Sequence, residues 1–420
     1  MLGLSLGLSG AAGLAGGAAE QILVRPGALS PSITFARASV GRRVTAGGVL
    51  QEVGANLPRF SGPAQRLLVE GERSNLLRNP TGQGAVIGGA TPPTYWSVLG
   101  TGGLSRSIEA LVTQDGLEGV RMRVYGTAST SNFILAFEAS NVIPAVSGKA
   151  FGHSVYARLV GGVAPPGLLR VYGRSSGAVM TNSPPTVPVN LTAAVTRFQG
   201  VFVMPEDPNT VAVQPALSWA LNSGTAYDFT VDLFLPQTEE MSVSTPILPP
   251  AGSLVQSSRA PDLVTGNMAA LFPDRRGTLL LVATLPAVLA GATPLLTARR
   301  GAGVGLFSAY LAADGSGIRL ATRDSSGLDE VAVPGAWSAG GELRLGLTFD
   351  EARGLLRAVA GGTAASLTPR TAAPRGELHV GRTMLAPGGD DAPGFIEVAR
   401  LVATRTVMAG AEMIARLAAL

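Results

Sequence analysis

The sequence predicts an all-β chain: two antiparallel β-sandwiches after a small N-terminal anchor and β module, closed by one short C-terminal helix. Three observations predict it. Short runs that alternate apolar and polar side chains recur along the chain, and each ends in Gly, Pro, Asn or Ser. Glycine at 55 and proline at 29 are a fifth of the 420 residues and follow no Gly-X-Y period, a composition of strands joined by turns rather than of collagen. Only the last stretch, TVMAGAEMIARLAAL, reads as a helix: Met413, Leu417 and Leu420 share one stripe, and Ala411, Glu412 and Arg416 are good helix formers.

Taken in order, residues 1–30 begin MLGLSLGLSGAAGLAGGAAE, apolar and alternating Leu with Gly or Ser, which is poor helix. A secretory signal would share the apolar core but needs a positively charged start, which is missing. The segment reads as an extended anchor that docks onto a larger particle. Residues 31–90 hold short patterned pieces (ITFARAS, VLQEV, RLLVEGERSNLL) and read as a small β module. Residues 91–250 carry GVRMRVYG, NFILAFEA, HSVYARLV, LLRVYGRS, RFQGVFVM and YDFTVDLFLPQ, the strands of a first sandwich. Residues 251–276 look like a linker. Residues 277–420 repeat the strand pattern, from GTLLLVATLP to GFIEVARLVAT, before the helix.

Strand alternation assigns faces. In VRMRVYG, Val120, Met122 and Val124 point one way, and Arg121, Arg123 and Tyr125 the other. Tyr156 and Arg158 share a face in HSVYARLV. In LLRVYGR, Leu169 and Val171 oppose Arg170, Tyr172 and Arg174. If these strands are neighbours, they build a platform in which Tyr rings stack on sugars and Arg forks donate to hydroxyls or carboxylates. Trp96, beside Tyr95 at the mouth of this domain, is a further candidate for ligand contact. The competing reading is an ordinary solvent-facing surface in which Asp228 and Asp232 pair with the arginines across the sheet. Trp219, in an apolar run, reads as core, and Trp337 as packing over a sandwich edge.

The charge balance excludes several functions. Lys+Arg is 32 against Asp+Glu at 28, and Lys149 is the one lysine, so the pI near 9.8 reflects arginine replacing lysine rather than a large positive charge. There is no dense basic run of the kind nucleic-acid binders show. No apolar run reaches membrane-spanning length. With Cys 0 and His 2 (His153 and His379), disulfides, thiolate metal sites, a cysteine nucleophile and a poly-His site are excluded. No cofactor is expected. Asp314, Asp390 and Asp391 lie in Gly-rich loops where they can ligate structural Ca²⁺, although Asp-Gly turns account for them equally. No Gly-x-Ser-x-Gly elbow, Walker A loop or dinucleotide fingerprint occurs. Adjacent acids do occur (Glu206 with Asp207, Glu239 with Glu240, Asp329 with Glu330), and a carboxylate pair for glycoside cleavage can come from separate strands.

Three segments carry a resemblance. ITFARASVGRRVTAGGVLQEVGANLPRF followed by RLLVEGERSNLL resembles an N-terminal module of phage tail and virion-fibre proteins, on Phe35, Arg37, Ala38, Ser39, Asn56, Pro58, Arg59, Phe60, Leu67, Leu68, Glu70, Asn75, Leu76 and Leu77, with Ser74 where Thr is usual. The end of the first sandwich, through Gln237, Glu239, Thr245, Ile247, Pro249, Arg259, Ala260 and Asp262, resembles the close of a carbohydrate-binding-module-like jelly roll in the same proteins; Pro236 and Leu248 depart from the pattern. The C-terminal part is similar to laminin-G or concanavalin-A-like sandwiches, on Leu378, Gly381, Phe395, Ile396, Val398, Leu401, Glu412 and Leu417. The resemblance implies a virion structural protein (fibre, spike or tail appendage) that binds host capsule or lipopolysaccharide glycans. Its expected partners are particle proteins through the N-terminal segment, and its expected state is a homo-oligomer, with a trimer favoured. Two other readings stay open: a tailspike-type polysaccharide depolymerase, and a purely structural decoration whose Arg/Tyr platform is covered or salt-bridged.

Overall fold

The computed structural model describes residues 20–241, 243–285, 292–299, 306–312, 317–324, 326–335, 340–360, 364–368, 376–383, 392–393 and 395–420. Residues 1–19, Trp337, Asp314, Asp390 and Asp391 lie outside them, and with them most of the anchor and the three Ca²⁺ candidates. The chain is all-β with antiparallel sheets and a short C-terminal helix.

The first sandwich pairs two sheets. One runs Ser105–Gln114, Leu117–Thr127, Ala226–Glu240, Ala150–Gly162, Thr196–Val203 across its width. The other runs Val187–Val189, Gly167–Arg174, Ala212–Ala220, Asn132–Ala136, Ser97–Gly100, with Ile143–Pro144 beside Ala212–Ala220. Their inner faces bury Met122, Val124, Phe133, Val171, Trp219 and Phe229, so the alternation read from VRMRVYG and LLRVYGR sends the expected apolar sets inward. Asp115 and Gly116, both with positive φ (52° and 77°), close the hairpin between the first two strands, as a two-residue turn of that hand requires.

The second sandwich draws on more of the chain than residues 277–420. Gln21–Arg25 and Arg66–Glu70 both pair with Phe395–Thr404, and Ile33–Ala36 pairs with Leu263–Asn267. One strand from the end of the segment read as an anchor, others from the segment read as an N-terminal β module, and one from the segment read as a linker therefore belong to the sheets of the C-terminal sandwich. The cause is apolar burial: Leu23, Val24, Ile33, Phe60, Leu67, Val69 and Val264 sit in one core with Leu279, Leu345, Leu378 and Ile396. Each such side chain contributes roughly 1.5–3 kcal/mol when removed from water. The Gly410–Ala418 helix lies on the outer side of this sandwich. Its Met413 and Leu417 pack on Leu280, Val359 and Val402, with Leu420 at the edge, which is the stripe the sequence predicts.

Candidate functional site

The outer face of the Ser105–Gln114 sheet carries a ladder of charge. Register places Arg121 opposite Asp232, and Asp232 opposite Arg158 on the next strand. Asp232 is fully buried and receives both arginines: Arg121 Nε and Nη2 donate to Oδ1 and Oδ2 at 2.8 and 3.0 Å, and Arg158 Nε donates to Oδ2 at 2.8 Å. Arg123 makes the same bidentate contact with Asp228 at 2.8 and 2.6 Å, and its guanidinium lies 4.9 Å from the Tyr125 ring. Tyr156 faces Arg197 across the sheet, 5.3 Å from its guanidinium. Hydrogen bonding to Asp232 and Asp228 raises the pKa of Arg121 and Arg123, and the bond from Arg123 lowers that of Asp228.

These ion pairs do not consume the donors. Arg158 gives only its Nε, so both Nη groups have no protein partner among the described residues. The Nη1 groups of Arg121 and Arg123 are in the same state. A carboxylate that fixes several guanidiniums side by side leaves a preorganised row of N–H donors at a surface where Tyr125 is 36% exposed. Asp232→Asn removes charge-assisted bonds to a buried acceptor and is expected to cost about 1.5–3 kcal/mol in urea denaturation. Arg123→Met, at an exposed pair, leaves the midpoint unchanged.

The other candidates fall elsewhere. Arg170, Tyr172 and Arg174 do share a face, but it is the outer face of the other sheet, so the three Arg/Tyr strands do not form one platform. Tyr172 is only 5% exposed and packs with Ala136 and Ala216. Arg170 is bonded to Ser218 (2.8 Å) and Arg174 to Gln214 (2.9 Å through Nε). Trp96 is a core residue rather than a ligand contact: it donates from Nε1 to the Asn79 carbonyl and meets Phe137 edge-on at 5.0 Å. Trp219 is core, as its apolar run implies. Arg197 was not among the sequence candidates, although alternation in TRFQGVFV places it outward with Gln199.

The motif residues converge on a different place. Arg37, Arg59 and Arg259 are buried with Glu70 and Asp262 where the N-terminal segment, the 243–262 segment and the two sandwiches meet. Asp262 accepts from Arg37 Nη1 (3.1 Å), from Arg59 Nη2 and from the Glu70 amide (2.9 Å). Glu70 accepts from Arg59 and Arg259 (both 2.6 Å) and from the Thr245 amide and hydroxyl. Burial alone would raise the Glu70 carboxyl, but Arg259, Arg59 and the Thr245 bonds outweigh it and hold it at about 2. Asn56, at φ 58°, exchanges backbone and side-chain bonds with Arg37, and left-handed backbone suits Asn. Gln237 and Glu239 extend the network through Ser244 and Ile247, and Asn75 joins it at the Thr238 amide and the Ile247 carbonyl. The charged residues of the first two resemblance motifs thus form a buried architectural joint.

No group of three or more His, Asp or Glu side chains suited to a metal occurs among the described residues, and no helix among them is long and apolar enough to cross a membrane. Glu239 is buried in the joint, and Glu240 pairs with Lys149 at 2.6 Å.

No protein-family model matches this sequence, and no curated protein matches it. Among solved structures, it is similar to the CBM40 of Ruminococcus gnavus IT-sialidase (TM-score 0.28, 18% identity, 34% of this chain and 82% of that one). A structure described as "CBM4 structure and function" is similar at TM-score 0.24 and 18% identity, over 34% of this chain and 86% of the other. The CBM22-1-CBM22-2 tandem of Paenibacillus barcinonensis Xyn10C is similar at TM-score 0.26 and 8% identity, over 79% and 97%. These are carbohydrate-binding modules; at such TM-scores they assign neither site nor ligand to this chain.

Proposed function

We propose that this protein is a carbohydrate-binding structural component of a phage-type particle, a fibre, spike or tail appendage that binds host surface polysaccharide. One observation carries the binding half: the row of guanidiniums on Arg121, Arg123 and Arg158, fixed by Asp228 and Asp232 and flanked by Tyr125 and Tyr156, with N–H donors left over. Four arginines, with Arg197, stand against Asp228, Asp232 and Glu109, so the face suits a glycan bearing carboxylates. The particle half rests on the resemblance of the N-terminal, jelly-roll and laminin-G-like segments to virion-fibre proteins. The residues ahead of the Gln21–Arg25 strand would anchor the protein; a homo-oligomer, with a trimer favoured, would sit on the particle surface, and copy number would supply avidity to weak individual sites.

The test is a binding assay on the purified protein against capsular polysaccharide and lipopolysaccharide, with Arg158→Ala plus Tyr125→Ala as the paired variant. Both residues are at least partly exposed, so the variant keeps its fold. Wild type is expected to bind intact polymer and the variant to lose at least tenfold, since each charged hydrogen bond is worth about 1.5–3 kcal/mol. Equal binding by both proteins removes the face from the proposal. The structural reading has its own support, because the arginines are salt-bridged as it requires; absence of binding by a folded oligomer would leave it in front, and shortened polymer would favour a depolymerase.

A further inference from the structure

A cleft of about 890 Å³ opens between the Gly41–Val44/Leu50–Val53 hairpin, residues 81–83, the end of the first sandwich near Glu118, and residues 248–258. Its size is that of a small-ligand site. It is separate from the guanidinium row, and the second resemblance motif reaches it only at Leu248 and Pro249. We infer that it is a second saccharide site, for neutral sugar units.

Charge argues first. The charged side chains lining it are Arg42, Glu52 and Glu118. Arg42 is paired with Glu52 through one nitrogen (Nη2 to Oε2, 3.0 Å) and also feels Glu118, so the cleft is net negative and disfavours the anions that the arginine face suits.

The unpaired groups argue second. Gln256 gives its Nε2 to the Leu76 carbonyl at 3.0 Å, and Gln83 gives its Nε2 to Thr81 Oγ1 at 3.2 Å. Among the described residues, neither amide oxygen receives a bond from the protein. The amides are therefore tied at their donor ends and open at their acceptor ends, beside two carboxylates. A polyol answers this set, because each hydroxyl donates to an acceptor and can accept in turn from an Arg42 N–H that Glu52 does not use. Val40 (51% exposed) and Leu111 (54%) supply apolar surface for the C–H face of a sugar ring. The lining holds no aromatic ring, so the affinity expected is modest.

The inference does not rest on the reading of the arginine face, and the experiment separates the two. Full-length protein is titrated by calorimetry and ligand-observed NMR with neutral oligosaccharides from dextran and mannan, and with acidic oligogalacturonate. Two variants are compared with wild type: Glu118→Gln plus Gln256→Ala, both at exposed positions, and Arg158→Ala plus Tyr125→Ala. Circular dichroism and the unfolding midpoint confirm that each variant is folded. Wild type and the face variant are expected to bind a neutral oligosaccharide that the cleft variant binds at least tenfold more weakly. Failure of wild type to bind any neutral oligosaccharide at millimolar concentration overturns the inference. So does undiminished binding by the cleft variant, or loss confined to the face variant. Loss of oligogalacturonate binding in the face variant alone bears only on the arginine face.

Discussion

Asp262→Asn is expected to destabilise the protein by about 3–5 kcal/mol, the range for breaking a buried ion pair while leaving its partners in place. The Asp262 carboxylate touches Arg37, Arg59 and the Glu70 amide, all buried. An amide in its place keeps the shape, removes one negative charge, and turns a donor toward one of the guanidiniums. Arg37 then has no acid in contact, and Arg59 and Arg259 share Glu70 alone. Since Leu263–Asn267 and Ile33–Ala36 are paired strands on either side of these residues, the loss should reach the second sandwich as well as the joint. Denaturant unfolding monitored by fluorescence measures the cost, and limited proteolysis should cut near residues 245–262 faster than in wild type. A midpoint equal to wild type would show that the network is not needed for stability.

Acid is expected to unfold the protein in two steps set by two buried groups. His153 lies among Phe137 and Phe202, with Nδ1 bonded to the Gln237 carbonyl and the Thr238 hydroxyl, both at 3.0 Å. Burial lowers it to about 4 against the opposing effect of the Gln237 bond. The unfolded chain, at the ordinary value of 6.5, therefore takes up a proton that the folded chain refuses. Stability from this group is complete above pH 6.5 and is lost as pH falls toward 4, by roughly 3 kcal/mol. Glu70 acts lower: its contribution is complete above 4.5 and is lost as pH falls toward 2, again by roughly 3 kcal/mol. Glu239, raised by burial against its Ser244 and Gln237 bonds, works in the opposite sense, since its penalty at neutral pH is relieved by protonation. Unfolding free energies at a series of pH values should fall between pH 6.5 and 4 in wild type and stay nearly flat there in His153→Gln. A wild-type curve with no slope in that window would show that His153 is not held neutral.

Much of the fold was legible because local pattern decides it. Alternation in VRMRVYG and LLRVYGR placed Met122, Val124, Leu169 and Val171 in the core and their neighbours outside, since side chains alternate on any strand whatever its partner. The C-terminal helix followed from its stripe. The pairing of Asp228 and Asp232 with the arginines was visible as one of two readings, and opposite charges at matching positions of two outward faces are what a sheet brings together.

Trp96 and Tyr172 were not legible in the same way. Each sits beside exposed-looking neighbours in sequence, and only the packing of Asn79 and Phe137 on one, and of Ala136 and Ala216 on the other, covers them. The sequence by itself determined the strands, their inward and outward faces, the terminal helix and the absence of cysteine chemistry, because these depend on residue type and near-neighbour spacing. Tertiary structure alone decided which strands are neighbours. It divided the Arg/Tyr strands between two sheets, since Leu117–Thr127 pairs with Ala226–Glu240 while Gly167–Arg174 pairs with Ala212–Ala220. It carried Gln21–Arg25 and Arg66–Glu70 some hundreds of residues along the chain to Phe395–Thr404, and gathered Arg37, Arg59, Glu70, Arg259 and Asp262 into one buried network. The physical reason is that register and sheet order are set by the fit of whole apolar faces and by the need to pair every buried charge, quantities that no single segment contains.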